Sequence, residues 1–256
     1  MSSAAPIRFK LTVAYRGTAY CGWQTQLVPG GEELPTVQTT LRQALQRVVN
    51  HPVTVVGSSR TDSGVHAAGQ VAHFDCHRPQ ILPEKLLAAV NAKLPADVAI
   101  LRAKPVDASF DAIGSTVRKA YRYTLRDVPI KDVFTGNTSF HVGRPLDDVA
   151  MRTAITQLVG THDFASFAKP GHGRESTIRT IESAAVVREG PAVHVDVVGT
   201  GFLWHQVRII VGTLVEIGLG RRTPDDITAM LAAKNRQAAG PTAPPHGLCL
   251  QWIETS

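Results

Sequence analysis

The sequence predicts an α+β fold made of two tandem halves, each with the order β-α-β-β-α-β. Three observations carry that prediction. Short runs rich in β-branched and aromatic residues alternate with stretches whose apolar residues recur at helical spacing. Glycine, proline and short polar residues separate these segments. The order of segments up to Val106 then recurs, with one extra helix, from Val117 onward.

In the first half, RFKLTVAY (Arg8 to Tyr15) reads as a strand followed by a Gly/Pro-rich loop. Thr36 is placed to cap a helix running to about Asn50, with Leu41, Ala44, Leu45, Val48 and Val49 at helical spacing. VTVVG (Val53 to Gly57) reads as a strand, and QVAHFDCH (Gln70 to His77) as another. The latter puts Ala72, Phe74 and Cys76 on one face and His73, Asp75 and His77 on the other, which is expected to face solvent. Pro83 suits the first turn of a helix reaching about Leu94, and VAILRAKPV closes the half as a strand.

The second half opens with the strand VRKAYRYTLRD (Val117 to Asp127). A longer connection leads to a helix from about Asp147 to Val159, stopped by Gly160. TIESAAVV and AVHVDVV flank the turn REGP as a hairpin. A helix follows with Val207, Ile210, Val211, Leu214 and Val215 on one face, ended by Gly218 and Gly220. Thr223, Pro224, Asp225 and Asp226 open a further helix with a capping residue, an early proline and acidic residues in the first turn. QAAGPTAPPHG (Gln237 to Gly247) reads as a loop, and LCLQWIE as the last strand. The two halves, taken as 1–112 and 113–256, suggest two ferredoxin-like units.

Composition bounds the function classes. The chain has 256 residues, 43% hydrophobic and 19% charged, which suits a packed core and argues against disorder. A net charge of +6 is compatible with a polyanionic partner such as nucleic acid. Three cysteines, Cys21, Cys76 and Cys249, lie far apart, so a reducing cytosol is expected rather than a disulfide scaffold. The N-terminus carries no signal-peptide pattern. The most apolar stretch, FLWHQVRIIVGTLVEIGLG, is interrupted by His205, Arg208 and Glu216 and is too polar to span a bilayer. No Walker A, dinucleotide or nucleophile-elbow motif is present.

Four places could carry chemistry. GSSRTDSGVHAAGQ (Gly57 to Gln70) sets Arg60 and Asp62 among small residues, two apart, so that an extended backbone would point both the same way. Taken alone, Asp62 also suits an Asx-turn and Arg60 a solvated surface. His66 in the same loop has the titration range of a general base, or packs the turn. The His73, Asp75 and His77 face offers metal-type ligands without a third cluster. RKAYRYTLRD alternates basic and aromatic residues, a pattern that suits base stacking and phosphate contacts as well as a half-buried strand. Arg208 sits among apolar neighbours, so it needs either an anionic partner, with Asp62 in a cleft between the halves as the candidate, or a route for its head to water.

Six motifs in order resemble the tRNA pseudouridine synthase A (TruA) family over nearly the whole chain. They are AYRGTAYCGWQTQ, TVQTTLRQAL, GSSRTDSGVHAAGQVAHF, RKAYRYTL, GTGFLWHQVRIIVGTLVEIGLGR and AGPTAPPHGLCLQWIE. The third looks like the family's catalytic loop, with Ser59 where glycine and Ser63 where alanine is common. The resemblance implies the pseudouridine synthase fold, a mixed, mainly antiparallel sheet flanked by helices with a central active-site cleft. It implies that Asp62 is the catalytic aspartate and that Arg60 displaces the target base. Tyr121 would stack on that base, Arg208 would pair with the aspartate, and Leu248 would pack at the site. It further implies isomerisation of uridine to pseudouridine at nucleotides 38 to 40 of the tRNA anticodon stem-loop, by a cytoplasmic homodimer without metal or organic cofactor. Two other readings stand beside it: a catalytically inert RNA-binding protein of two RNA-recognition-like units, and a metal-dependent hydrolase using His73, Asp75 and His77.

Overall fold

The computed structural model describes residues 5–78, 80–171, 173 and 175–256. The chain divides into two compact units. The first runs to Val117 and takes in Leu250–Ser256, and the second is Arg118–Cys249.

The first unit follows the expected order. In β1 (Ile7–Tyr15), Phe9, Leu11, Val13 and Tyr15 are buried and their neighbours half exposed, the period-two signature of a strand with one core face. Helix α1 (Val37–Val49) starts where the Thr36 hydroxyl accepts from the Thr39 N–H at 3.2 Å, and it ends on Asn50 in the left-handed region (φ 56°). Val37, Leu41, Ala44, Leu45 and Val49 form its inner face. β2 (Val56–Gly57) and β3 (His66–Cys76) follow, then α2 (Pro83–Asn91) and β4 (Val98–Val106). With β10 (Leu248–Thr255), the strand order is β4-β1-β3-β10, and β2 also pairs with β3. Phe9 and Phe74 stack at 5.7 Å across β1 and β3, in a core completed by Leu41, Leu45, Leu86 and Val90.

Two expectations for this unit change. VTVVG forms only the two-residue strand β2, because β10 lies along the same edge of β3, with the Gln251 carbonyl close to Gly69. His66, expected in the loop, is the first residue of β3. The face expected to meet solvent does so at His77 but is covered at His73. His73 is 6% exposed under Phe110, its Nδ1 accepts the Ala112 N–H at 3.1 Å, and Asp75 is held by both arms of Arg8 at 2.7 Å. The covering segment comes from residues 107–112, which the pattern of the strand itself cannot reveal.

In the second unit, β5 (Thr116–Arg126) is followed by β6 (Phe140–His141), α3 (Asp148–Thr156), β7 (Gly160–Asp163), β8 (Ile178–Glu189) and β9 (Ala192–Gly199). The order is β5-β9-β8-β7, antiparallel throughout, with β6 added parallel to β5. β6 and β7 were not expected. Gly160, read as a helix stop, opens β7 at φ 112°, and that strand exists through its pairing with β8 rather than through its own pattern. The β8–β9 hairpin closes with Gly190 at φ 57°, as a two-residue turn requires. Asp147 caps α3 by accepting from the Val149 and Ala150 N–H groups.

Helix α4 (Gln206–Gly218) is buried on nearly every side, where one apolar face was expected. Only Arg208 and Glu216 escape full burial. The reason is the segment before β10. A Cβ at Gly212 would stand 1.8 Å from the Pro241 carbonyl oxygen, and the Gly240 N–H donates to Thr213 Oγ1 at 2.9 Å. Helix α5 (Asp226–Ala233) begins with the Asp226 carboxylate accepting from the Thr223 N–H at 2.8 Å, the reverse arm of a capping box. Among the described residues, no helix is long and apolar enough to cross a membrane.

Candidate active site

Between β2 and β3 the chain alternates in burial. Ser59 and Thr61 are buried, Arg60 is exposed and Asp62 half-buried, so Arg60 and Asp62 share the outward side. Inward residues and backbone hold the path. The Gln70 side chain accepts the Ser59 N–H at 3.2 Å and donates to the Ser59 carbonyl at 2.5 Å. Tyr15 and Thr61 share a hydroxyl–hydroxyl bond of 2.8 Å. The Asp62 carbonyl accepts the Val65 N–H at 3.1 Å, closing a turn in which Gly64 takes φ 80°.

The support comes from the loop after β1. The Trp23 N–H donates to the Thr61 carbonyl at 3.1 Å, and the Gly64 N–H to that of Tyr20 at 3.4 Å. Ser63 Oγ also donates to the Tyr20 carbonyl, at 3.1 Å, an anchor that alanine would lack. Gly22 (φ +93°) lies against the peptides on both sides of Asp62, where a Cβ would come within 2.7 Å of the Thr61 carbonyl oxygen. The signal for this role is the glycine between aromatics in YCGW. His66 is 4% exposed, and its Nδ1 accepts the Gly17 N–H at 3.0 Å, so this nitrogen anchors the start of β3.

In the second unit, Tyr121 on β5 is 7% exposed and meets Phe202 edge-on at 5.4 Å. Arg208, half-buried on α4, donates from Nε to the Ala243 carbonyl at 2.8 Å, and the Ala243 N–H returns a bond to the Arg208 carbonyl at 3.0 Å. The next residues wrap Tyr123, whose hydroxyl donates to the Pro244 carbonyl at 2.7 Å. Burial pushes the Tyr123 phenol up, against the pull of the Arg208 charge. Burial likewise holds His246 below its ordinary value, with Lys131 and Arg208 adding to the effect. Leu248, 5% exposed, is where this segment enters β10. The structure thus brings Arg208 to the strand entry that ends at Leu248, and Tyr121 to Phe202. Trp204, with the Lys169 ammonium 4.0 Å from its ring, adds an exposed aromatic–cation pair that the pattern did not single out.

Among the described residues, no group of three His, Cys, Asp or Glu side chains converges as metal ligands would. His73 and Asp75 are committed to Ala112 and Arg8 instead. The arrangement offers a carboxylate on a braced turn beside an exposed arginine in one unit, and a buried tyrosine and a half-buried arginine in the other.

Comparison with known proteins identifies the family. A tRNA pseudouridine synthase family profile matches residues 11–113 and 154–254. The chain is 46% identical over 245 residues to a tRNA pseudouridine synthase A of Moorella thermoacetica, covering 96% of this chain and 98% of that one. It is 44% identical to the tRNA pseudouridine synthase A of an Exiguobacterium species, over 95% and 96% of the two chains. A third similar protein, from a Thermoanaerobacter species, carries the same name at 40% identity over 94% and 96%.

Proposed function

The chain belongs to the tRNA pseudouridine synthase family, and we propose that it isomerises uridine to pseudouridine in the anticodon stem-loop of tRNA, at nucleotides 38 to 40, with Asp62 as the catalytic carboxylate. The braced turn at Asp62 is the observation that carries this reading. A carboxylate that must meet a reacting sugar or base needs a fixed backbone and access to solvent, and Asp62 sits half-buried on a backbone held by hydrogen bonds.

The reaction exchanges one bond for another within a single nucleotide. The uracil N1–C1′ bond breaks, the base turns, and a C5–C1′ bond forms. The C5 proton leaves to solvent, and N1 gains a proton. Electrons balance without an oxidant, a reductant or a redox cofactor. The base must first leave its stack, at a cost of a few kcal/mol. Arg60, exposed beside Asp62, fills the gap, while Tyr121 stacks on the extruded uracil and offsets part of that cost. Arg208 and Leu248 contact the same nucleotide, and Ser63 and Gly64 leave room for its close approach. The enzyme works as a cytoplasmic homodimer.

Asp62→Asn tests the assignment. With tRNA carrying tritium at uridine C5, the wild type releases label and the variant releases none above background, while both bind tRNA equally. A variant that turns over within tenfold of wild type overturns the role of Asp62. A wild type that binds tRNA but releases no label favours the inert RNA-binding reading.

A further inference from the structure

One face of the first unit's sheet carries a charge pattern that the proposed chemistry does not use. In the register of β1 with β4, Lys10 lies directly opposite Lys104, and Thr12 opposite Arg102. Like charges directly across a sheet oppose its formation. Burial and the neighbouring Lys104 both pull the Lys10 ammonium below its ordinary value. Among the described residues, no carboxylate pairs with Lys10, Arg102 or Lys104. Lys10 finds neutral partners, the Thr255 hydroxyl and the Phe110 ring at 5.3 Å. Arg8, two residues earlier on the same face, is held by Asp75. The sheet thus supplies an acid for one cation and none for the three beside it.

A bulge creates the cluster. The β1–β4 register shifts after Thr12, so that Val13 pairs with Ile100 while Thr12 pairs with Arg102, and Leu101 is the extra residue. Ile100 is buried at 2% exposure against the core. In a regular strand Arg102, two residues on, would point to that same core. The bulge turns it to the opposite face, beside Lys104, and bulges commonly re-aim side chains in this way. Next to it lies a cavity of about 360 Å³, lined by Lys10, Thr12, Gly69, Arg102, Gln251 and Trp252 among others, with no carboxylate in its wall. Thr12 and Gln251 add uncharged polar residues to its wall.

We propose that this face docks the phosphate backbone of RNA, with Lys10, Arg102 and Lys104 each meeting a phosphate away from the nucleotide that reacts. The proposal rests on RNA being the substrate class. Arg102 and Lys104 stand about 7 Å apart along their strand, and Lys10 faces them from the next strand. That spread suits an extended polyanion better than a single free phosphate.

The test is tRNA binding by the full chain across about 50 to 300 mM salt. The pair Arg102→Gln/Lys104→Gln is expected to weaken binding roughly 50-fold near 100 mM salt and to reduce the slope of log K against log salt by about two. The charge-preserving pair Arg102→Lys/Lys104→Arg is expected to restore both. Unchanged affinity and slope in the glutamine pair overturn the proposal, as does equal loss in the charge-preserving pair. A change in oligomeric state with tRNA affinity intact would make the face a protein interface, and would overturn it too. Asp62→Asn keeps the full salt slope if the catalytic reading and this one are both right. A wild type that binds with this slope but does not isomerise sinks only the catalytic reading.

Discussion

Replacing Gly22 by alanine probes how firmly Asp62 is held. A Cβ on Gly22 would stand 2.7 Å from the Thr61 carbonyl oxygen, 3.2 Å from the Ser63 nitrogen and 3.3 Å from the Asp62 carbonyl carbon. The backbone cost of alanine at φ +93° is about 1–2 kcal/mol. The clash adds to it, because the Thr61 oxygen must retreat roughly 0.7 Å to reach ordinary contact. That movement stretches the 3.1 Å bond from the Trp23 N–H past useful length, at about 1 kcal/mol. The sum is near 3 kcal/mol, which in a chain of this size lowers Tm by roughly 6–12 °C. The atoms pushed are those of the peptides flanking Asp62, so the carboxylate moves with them. A misplacement approaching 1 Å costs on the order of 10- to 100-fold in rate. Thermal melting and tritium release, the latter well below the lowered Tm, read the two effects separately. Gly30→Ala is the control: it sits at φ +105° with nothing within 4 Å of its Cβ, so it carries the backbone cost without the clash. Equal loss of turnover in the two variants, or wild-type turnover in Gly22→Ala, refutes the account of the brace.

Two further predictions concern stability. Burial, followed by the charge of Arg8, holds His73 below its ordinary 6.5 despite Asp111 and Asp75 nearby. The unfolded chain then takes up a proton at higher pH than the folded one, so this stability is complete above about pH 6.5 and is lost as pH falls below it. His194 and His246 shift in the same direction. Tm is expected to be flat from about pH 7 to 8 and to drop towards pH 5, with a shallower drop in His73→Gln; equal drops in the two proteins contradict the assignment. Arg188 holds the Asp127 carboxylate at 2.9 and 3.2 Å and Asp148 at 2.7 Å, and the Asp127 side chain is only 7% exposed. Burial raises the Asp127 carboxyl, but the bonds from Arg188 and the Leu146 N–H outweigh it and leave it low. Arg188→Ala should cost roughly 2–3 kcal/mol in denaturant unfolding, and adding Asp127→Asn should recover part of it; no recovery would mean that the loss lies in packing.

What the sequence could show depended on whether a residue's partners lie nearby in the chain. Thr36 and its helix were legible because a cap and a helical face are written within a few turns. Arg208 stood out among the apolar residues of its helix, and it is one of only two in α4 that escape full burial. The outward pairing of Arg60 and Asp62 followed from strand alternation. The brace behind Asp62 was not legible, since Tyr20, Gly22 and Trp23 act through backbone approaches, and Tyr15 through its hydroxyl, some 40 residues away in sequence. The burial of His73 likewise depends on a distant segment, and β7 exists only through its neighbour. The bulge at Leu101 leaves no mark in the alternation of VAILRAKPV that could locate it.

The membership of Leu250–Ser256 in the first unit has a consequence for how the chain is made. β3, which begins just after the Asp62 turn, takes β10 as a neighbour, and the Ser256 N–H donates to the Ser115 carbonyl at 2.9 Å. On the ribosome the whole of residues 118–249 must emerge between the two parts of that unit. At ordinary elongation speeds the delay is on the order of ten seconds. During it β3 carries an edge that β2 fills only in part, of the kind that invites pairing with other chains. The strand that follows the Asp62 turn is therefore among the last to be fully paired, and the protein has a vulnerable interval in its synthesis that its finished form conceals.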